Sequence, residues 1–229
     1  MRESTFRDLE AVVTHEHFAE VDLMLRRGRH IGRDDGIVYD YLTEALPFLE
    51  PFYQAFRCEL VHRTDGYFYL LPMGDGLGRR LLSAGEMLVG QTLALLYLDP
   101  ATLQHGGVIP RESLLQRLSG FFGAETLIRI LNPQKRKFDE RVAAEEVRQQ
   151  VQKALRRLAD LGFIELLDQR KRSDDRLRLR SALMRFADPV RGLTDASAAL
   201  ERLVQRGEVA LAAQSAEPPA VDPDGEEAS

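Results

Sequence analysis

Between Glu145 and Arg180 the chain spells out a long amphipathic helix followed by a β-hairpin, and few small folds accept that order. Val147, Val151, Ala154, Leu155, Leu158 and Leu161 recur in steps of three and four, which places them on one apolar stripe of a helix over 145–161. Arg148, Gln149, Gln152, Lys153, Arg156 and Arg157 fall on the remaining faces. Gly162 supplies a stop. Phe163–Leu167 and Arg176–Arg180 then bracket the polar loop 168–175, whose charges are too many for a core. On the return strand Leu177 and Leu179 alternate with Arg176, Arg178 and Arg180, so period-two geometry sends the three arginines to one face.

The first half repeats the theme. Val13, Phe18, Val21 and Leu25 sit near helical spacing before Gly28. Apolar residues from Val38 to Phe56 predict a long core-facing helix, with a kink or restart expected at Pro47, because proline lacks a backbone donor and clashes with the preceding turn. Two β-prone runs, Arg57–Arg63 and Tyr67–Leu71, flank Asp65-Gly66, a hairpin signal. Helices closed by a hairpin are the order of a winged-helix domain. Ser83-Ala84-Gly85-Glu86 has capping-box spacing and opens a new helix over 84–98. Val108-Ile109 offers a short strand, and helices are expected over 111–118 and 124–131.

These readings predict a mostly α, α+β chain of tandem winged-helix domains. The expected division is a first domain over 1–72, a glycine-rich linker over 73–82 and a second domain over 83–188. A helical segment over 189–207 and an acidic, disordered tail over 208–229 follow.

Charge separates the second half from that tail. The net charge is −5, yet residues 133–185 carry fifteen Lys/Arg against nine Asp/Glu, and 186–229 carry three against nine. A rigid scaffold presenting cations suits phosphate, so Lys135, Arg136, Lys137, Lys153, Arg156, Arg157, Arg176, Arg178 and Arg180 are the candidate DNA-binding residues. The opposing reading is a solvated face whose arginines pair with neighbouring acids. No side chain is assigned to a base.

Catalytic and metal chemistry find no foothold. The single cysteine, Cys58, excludes a disulfide within the chain and a cysteine-based zinc site, and five scattered histidines have no ligand spacing. The triplet Gly74-x-Gly76-x-Gly78 lacks the Gly-Lys-Ser/Thr ending of a nucleotide loop and reads as linker. No cofactor is expected and no enzyme activity. No apolar run approaches membrane-spanning length, so a cytoplasmic protein without a membrane partner is expected. Seven aromatics, Phe48, Phe52, Tyr53, Phe56, Tyr67, Phe68 and Tyr69, exceed what a small domain hides, and another chain is expected to cover some of them.

At Leu25-Arg26-Arg27-Gly28-Arg29-His30-Ile31-Gly32, and at the hairpin from Glu59 to Leu70, the chain resembles the MukE family, which includes the MksE proteins. The resemblance runs from about Leu9 to Val209. It implies a dimerising, nucleoid-associated tandem winged-helix protein that binds the kleisin subunit of a MukBEF-type SMC complex, beside the SMC ATPase and non-specific DNA. Such proteins carry no active site; the implied duty is chromosome organisation and segregation, or plasmid defence. The alternative, read from the basic helix and wing alone, is a free-standing winged-helix transcription regulator.

Overall fold

The structure, a computed structural model, describes residues 6–74, 81–134, 139–167 and 175–187. The first half runs α1 (Leu9–Val13), α2 (Phe18–Arg26), β1 (Ile31–Gly32), a 3-10 turn (Arg33–Asp35), α3 (Ile37–Ala55), β2 (Cys58–Arg63) and β3 (Tyr67–Pro72). Its three strands form an antiparallel sheet in the order β1-β3-β2. The amphipathic stretch expected before Gly28 is two helices rather than one. Asp8 starts α1 by accepting a hydrogen bond from the Ala11 amide, and Gly28, at φ +79°, ends the turn after α2.

Of the kink or restart expected near Pro47, the restart does not occur, since α3 is continuous through both Pro47 and Pro51. The two prolines are four residues apart and both exposed, so the carbonyls they leave without donors face water. A proline inside a helix costs roughly 3 kcal/mol. The opposite face buries Tyr41, Leu42, Leu49 and Tyr53, each worth about 1.5–3 kcal/mol, and packing therefore outweighs the two defects.

The second half runs α4 (Ala84–Tyr97), α5 (Pro100–Gln104), β4 (Val108–Pro110), α6 (Arg111–Phe121), α7 (Ala124–Leu131), α8 (Glu140–Asp160), β5 (Ile164–Leu167), β6 (Arg176–Leu179) and, after a 3-10 turn, α9 (Met184–Ala187). The capping box is present: the Ser83 hydroxyl accepts from the Glu86 amide, and the Glu86 carboxylate accepts from the Ser83 amide. Helix α8 starts five residues ahead of the expected Glu145, because the Asp139 carboxylate caps the Arg141 amide and Ala143 extends the buried stripe. Its sheet, β4-β6-β5, repeats the strand order of the first.

One core gathers Val21, Leu25, Leu42, Leu49, Tyr53 and Phe68 in the first half. The other gathers Leu88, Leu93, Leu118, Val151, Leu155 and Leu158 in the second, and it also takes Tyr67 from β3. Period two explains the division, since Phe68 points into its own half while Tyr67 and Tyr69 point across. These two tyrosines are thus covered by the second half of the same chain. Phe56 remains half exposed. The structure is α+β, with mostly helical elements and two small antiparallel sheets. The glycines at 76 and 78, the wing loop 168–174 and everything from 188, including the expected helix and acidic tail, lie outside the described residues.

Candidate nucleic-acid interface

The amphipathic pattern of α8 fixes which cations face outward. Val147, Val151, Ala154, Leu155 and Leu158 are buried against the core, so Lys153, Arg156 and Arg157 occupy the opposite side, within a turn of one another. Lys153 and Arg156 are exposed and Arg157 half-buried. No ion pair among the described residues engages any of the three. A helix surface carrying three uncommitted cations can meet phosphates without first breaking an internal bond.

The strand arginines are differently placed. Arg176, Arg178 and the residue after the strand, Arg180, do share one side, as the alternation predicts; Arg178 and Arg180 both reach Glu165, at 3.1 and 3.8 Å. Arg180 nevertheless departs from the expected exposed edge. Its side chain is 10% exposed, and its Nη1 donates to the Asp35 carboxylate at 2.9 Å, from the other half of the chain. Arg178 is exposed but paired, and Arg176 is exposed at the outer end of the strand. Lys135, Arg136 and Lys137 lie outside the described residues. Arg111, not singled out from the sequence, ties the hairpin to α8, since its Nη1 reaches Gln152 and Asp175, both at 2.6 Å.

Beside this surface lies the joint between the halves, built on Arg29-His30-Ile31-Gly32. The His30 amide and Nδ1–H both donate to the Leu161 carbonyl at the end of α8, at 2.8 and 3.0 Å. Arg185 donates to Nε2 at 2.7 Å, which fixes the neutral tautomer with its proton on Nδ1. The ring packs 4.2 Å from Phe163, while Arg185 stacks 4.2 Å over Tyr69. Burial, reinforced by the neighbouring Arg185 guanidinium, lowers the His30 pKa to about 3, with the Leu161 hydrogen bond opposing. Asp35 completes the joint. One of its oxygens takes Arg180 and, at 3.4 Å, Arg29; the other accepts from the Gly32 amide at 2.9 Å. Gly162 adopts φ +78°, and a Cβ there would overlap the His30 carbonyl oxygen.

Charge and alternation pointed to the outward cations of α8 but missed the joint, whose members are separated by more than a hundred residues. The available signal was the Arg-His-Ile-Gly run together with the glycine that ends α8. Among the described residues, no group of three His, Cys, Asp or Glu side chains is placed to hold a metal ion, and no helix is long and apolar enough to cross a membrane.

Comparison with known proteins agrees with that run. The profile of a family described as condensin complex protein MksE matches residues 16–191. The chain is similar to the chromosome partition protein MukE of Vibrio cholerae, 31% identical over 205 residues that cover 89% of this chain and 86% of the relative. It is also 32% identical to MukE of Vibrio parahaemolyticus over the same shares of both chains. For MukE of Escherichia coli the identity is 31% over 192 residues, covering 83% of each.

Proposed function

The chain belongs to the MksE family of condensin complex proteins, related to the chromosome partition protein MukE, and on that premise we propose that it is a non-enzymatic accessory subunit of a MukBEF-type chromosome partition complex. It binds a kleisin, stands beside an SMC ATPase in the cytoplasm at the nucleoid, and acts as a homodimer in chromosome segregation or plasmid defence. The single observation that carries this reading is a similarity spanning both halves and the joint between them, rather than one generic DNA-binding unit.

In this reading residues 1–72 and 83–188 are two winged-helix domains. Each places a short strand, a long helix and a hairpin in the same succession, with the short strand paired to the last one. Lys153, Arg156 and Arg157 of α8 supply the principal DNA contacts, non-specific and salt-dependent, while the hairpin arginines serve mainly to hold the protein together. Lys135, Arg136 and Lys137, outside the described residues, are included as DNA contacts on their charge alone.

Co-expression with neighbouring gene products tests the assignment. A stable complex with a kleisin and a large coiled-coil ATPase is expected. A tight, sequence-specific operator footprint by the isolated chain, with no such complex, would overturn the assignment in favour of a transcription regulator.

A further inference from the structure

Strand β5 is outermost in its sheet, and among the described residues nothing pairs with its second edge. The register tells which backbone groups that edge presents. The Arg180 amide donates to the Phe163 carbonyl, so the pairs Phe163/Arg180 and Glu165/Arg178 exchange hydrogen bonds, and Ile164 and Leu166 turn their N–H and C=O groups outward. Those two residues line an open cleft of about 510 Å³. Glu165 and Arg180, from the other face of the same hairpin, line it too, so the opening wraps the strand edge instead of lying on one face. Arg156 and Asp160 of α8 form one wall, and Arg29 closes the end nearest the joint.

Three guanidinium groups stand against two carboxylates in this lining. Glu165 is already engaged by Arg178 and Arg180, whereas Arg156 has no ion pair among the described residues, and the buried Nε groups of Arg29 and Arg180 have no hydrogen-bond partner there. A free strand edge is a template for another strand, with main-chain bonds giving affinity and flanking side chains giving preference. We infer that the β5 cleft takes an extended segment of a partner polypeptide, which adds to β5 as a strand through Ile164 and Leu166 and presents an acidic side chain to Arg156. This rests on the proposed reading that the chain works by holding another polypeptide, and it says where one segment of that partner lies.

The test is amide hydrogen exchange, read by NMR on the full chain, with two synthetic ten-residue probes: one alternating Val and Glu, the other alternating Val and Lys. The acidic probe is expected to slow exchange at Ile164 and Leu166 at least tenfold, and the basic probe to leave both unchanged. Arg156→Glu, a change at an exposed position, should abolish that protection at both amides, and Leu166→Pro, which removes an outward donor together with a half-buried side chain and is checked for an unchanged melting temperature, should abolish it at Ile164, the amide that remains. Protection by both probes alike, by neither, or equally in Arg156→Glu overturns the inference. So does protection produced by raising the concentration of the chain alone; duplex DNA, which draws on the same Arg156, is expected to compete with the acidic probe and return both amides to fast exchange. A kleisin complex that forms while these two amides remain as fast as in the free chain removes this inference and leaves the proposed function standing; failure to form any complex removes the proposed function itself.

Discussion

Two sets of cations lie in the second half, one on α8 and one on the returning strand, and they are spent differently. Those on α8, Lys153, Arg156 and Arg157, have no acidic partner among the described residues and face outward. Those of the returning strand are paired with acids, the exposed Arg178 with Glu165 and the buried Arg180 with both Glu165 and Asp35. Sequence charge counts the two sets equally. What separates them is whether a carboxylate from elsewhere in the fold arrives first, and Asp35 arrives from 145 residues away.

The strongest way to sharpen that contrast is to break the joint that the strand serves. Gly162→Ala imposes both a left-handed backbone on alanine and an overlap with the His30 carbonyl, and should cost on the order of 4 kcal/mol, beyond the ~1–3 kcal/mol of backbone strain alone. Urea unfolding is expected to show it as a large fall in midpoint. Arg180→Ala leaves Asp35 buried without its closest partner and should cost about 3 kcal/mol; a loss below 0.5 kcal/mol would place Arg180 with the outward set after all.

His30 gives the same contrast a pH dependence. Its folded pKa, about 3, lies below the ordinary value of 6.5, so unfolding takes up a proton in acid. Its contribution to stability is complete above about pH 6.5 and is lost as pH falls towards 3, at up to ~1.4 kcal/mol per pH unit. Denaturation at stepped pH should reveal that limb, and His30→Gln should flatten it.

The outward set predicts the reverse signature. Changing Lys153, Arg156 and Arg157 together to Ala should shift stability by under ~0.5 kcal/mol, yet reduce the salt slope of DNA binding by about 0.9 for each lost phosphate contact. The loss should be uniform across sequences. Arg178→Ala is the mildest change, expected to move stability by less than ~1 kcal/mol, as for exposed pairs, and DNA affinity less than the helix triple does. A strand change that costs more affinity than the helix triple would invert the comparison.

Much of this architecture was legible because it rests on local pattern. The Ser83/Glu86 box, the Asp65-Gly66 turn and the α8 stripe each reveal themselves within a few residues. Pro47 misled because its cost is visible in sequence while the compensating burial of Leu49 and Tyr53 is not. The two-residue strand β1 escaped notice because Ile31 and Gly32 carry no alternation, and their strand character comes from Phe68 and Tyr67 opposite them. The face of the three arginines was readable from period two. The burial of Arg180 was not, because it depends on a carboxylate in the other half. The seven aromatics were seen to exceed one small domain's core, but that the second half covers Tyr67 and Tyr69 is a matter of tertiary packing.

The His30 contact is made to the end of α8 through main-chain atoms and an arginine stack, with almost no slack at Gly162. A load applied to the first half therefore passes along the axis of the longest helix in the second, as it would through a welded bracket. Under the proposed function, orientation on a duplex and orientation on a partner are coupled through the contacts of this joint.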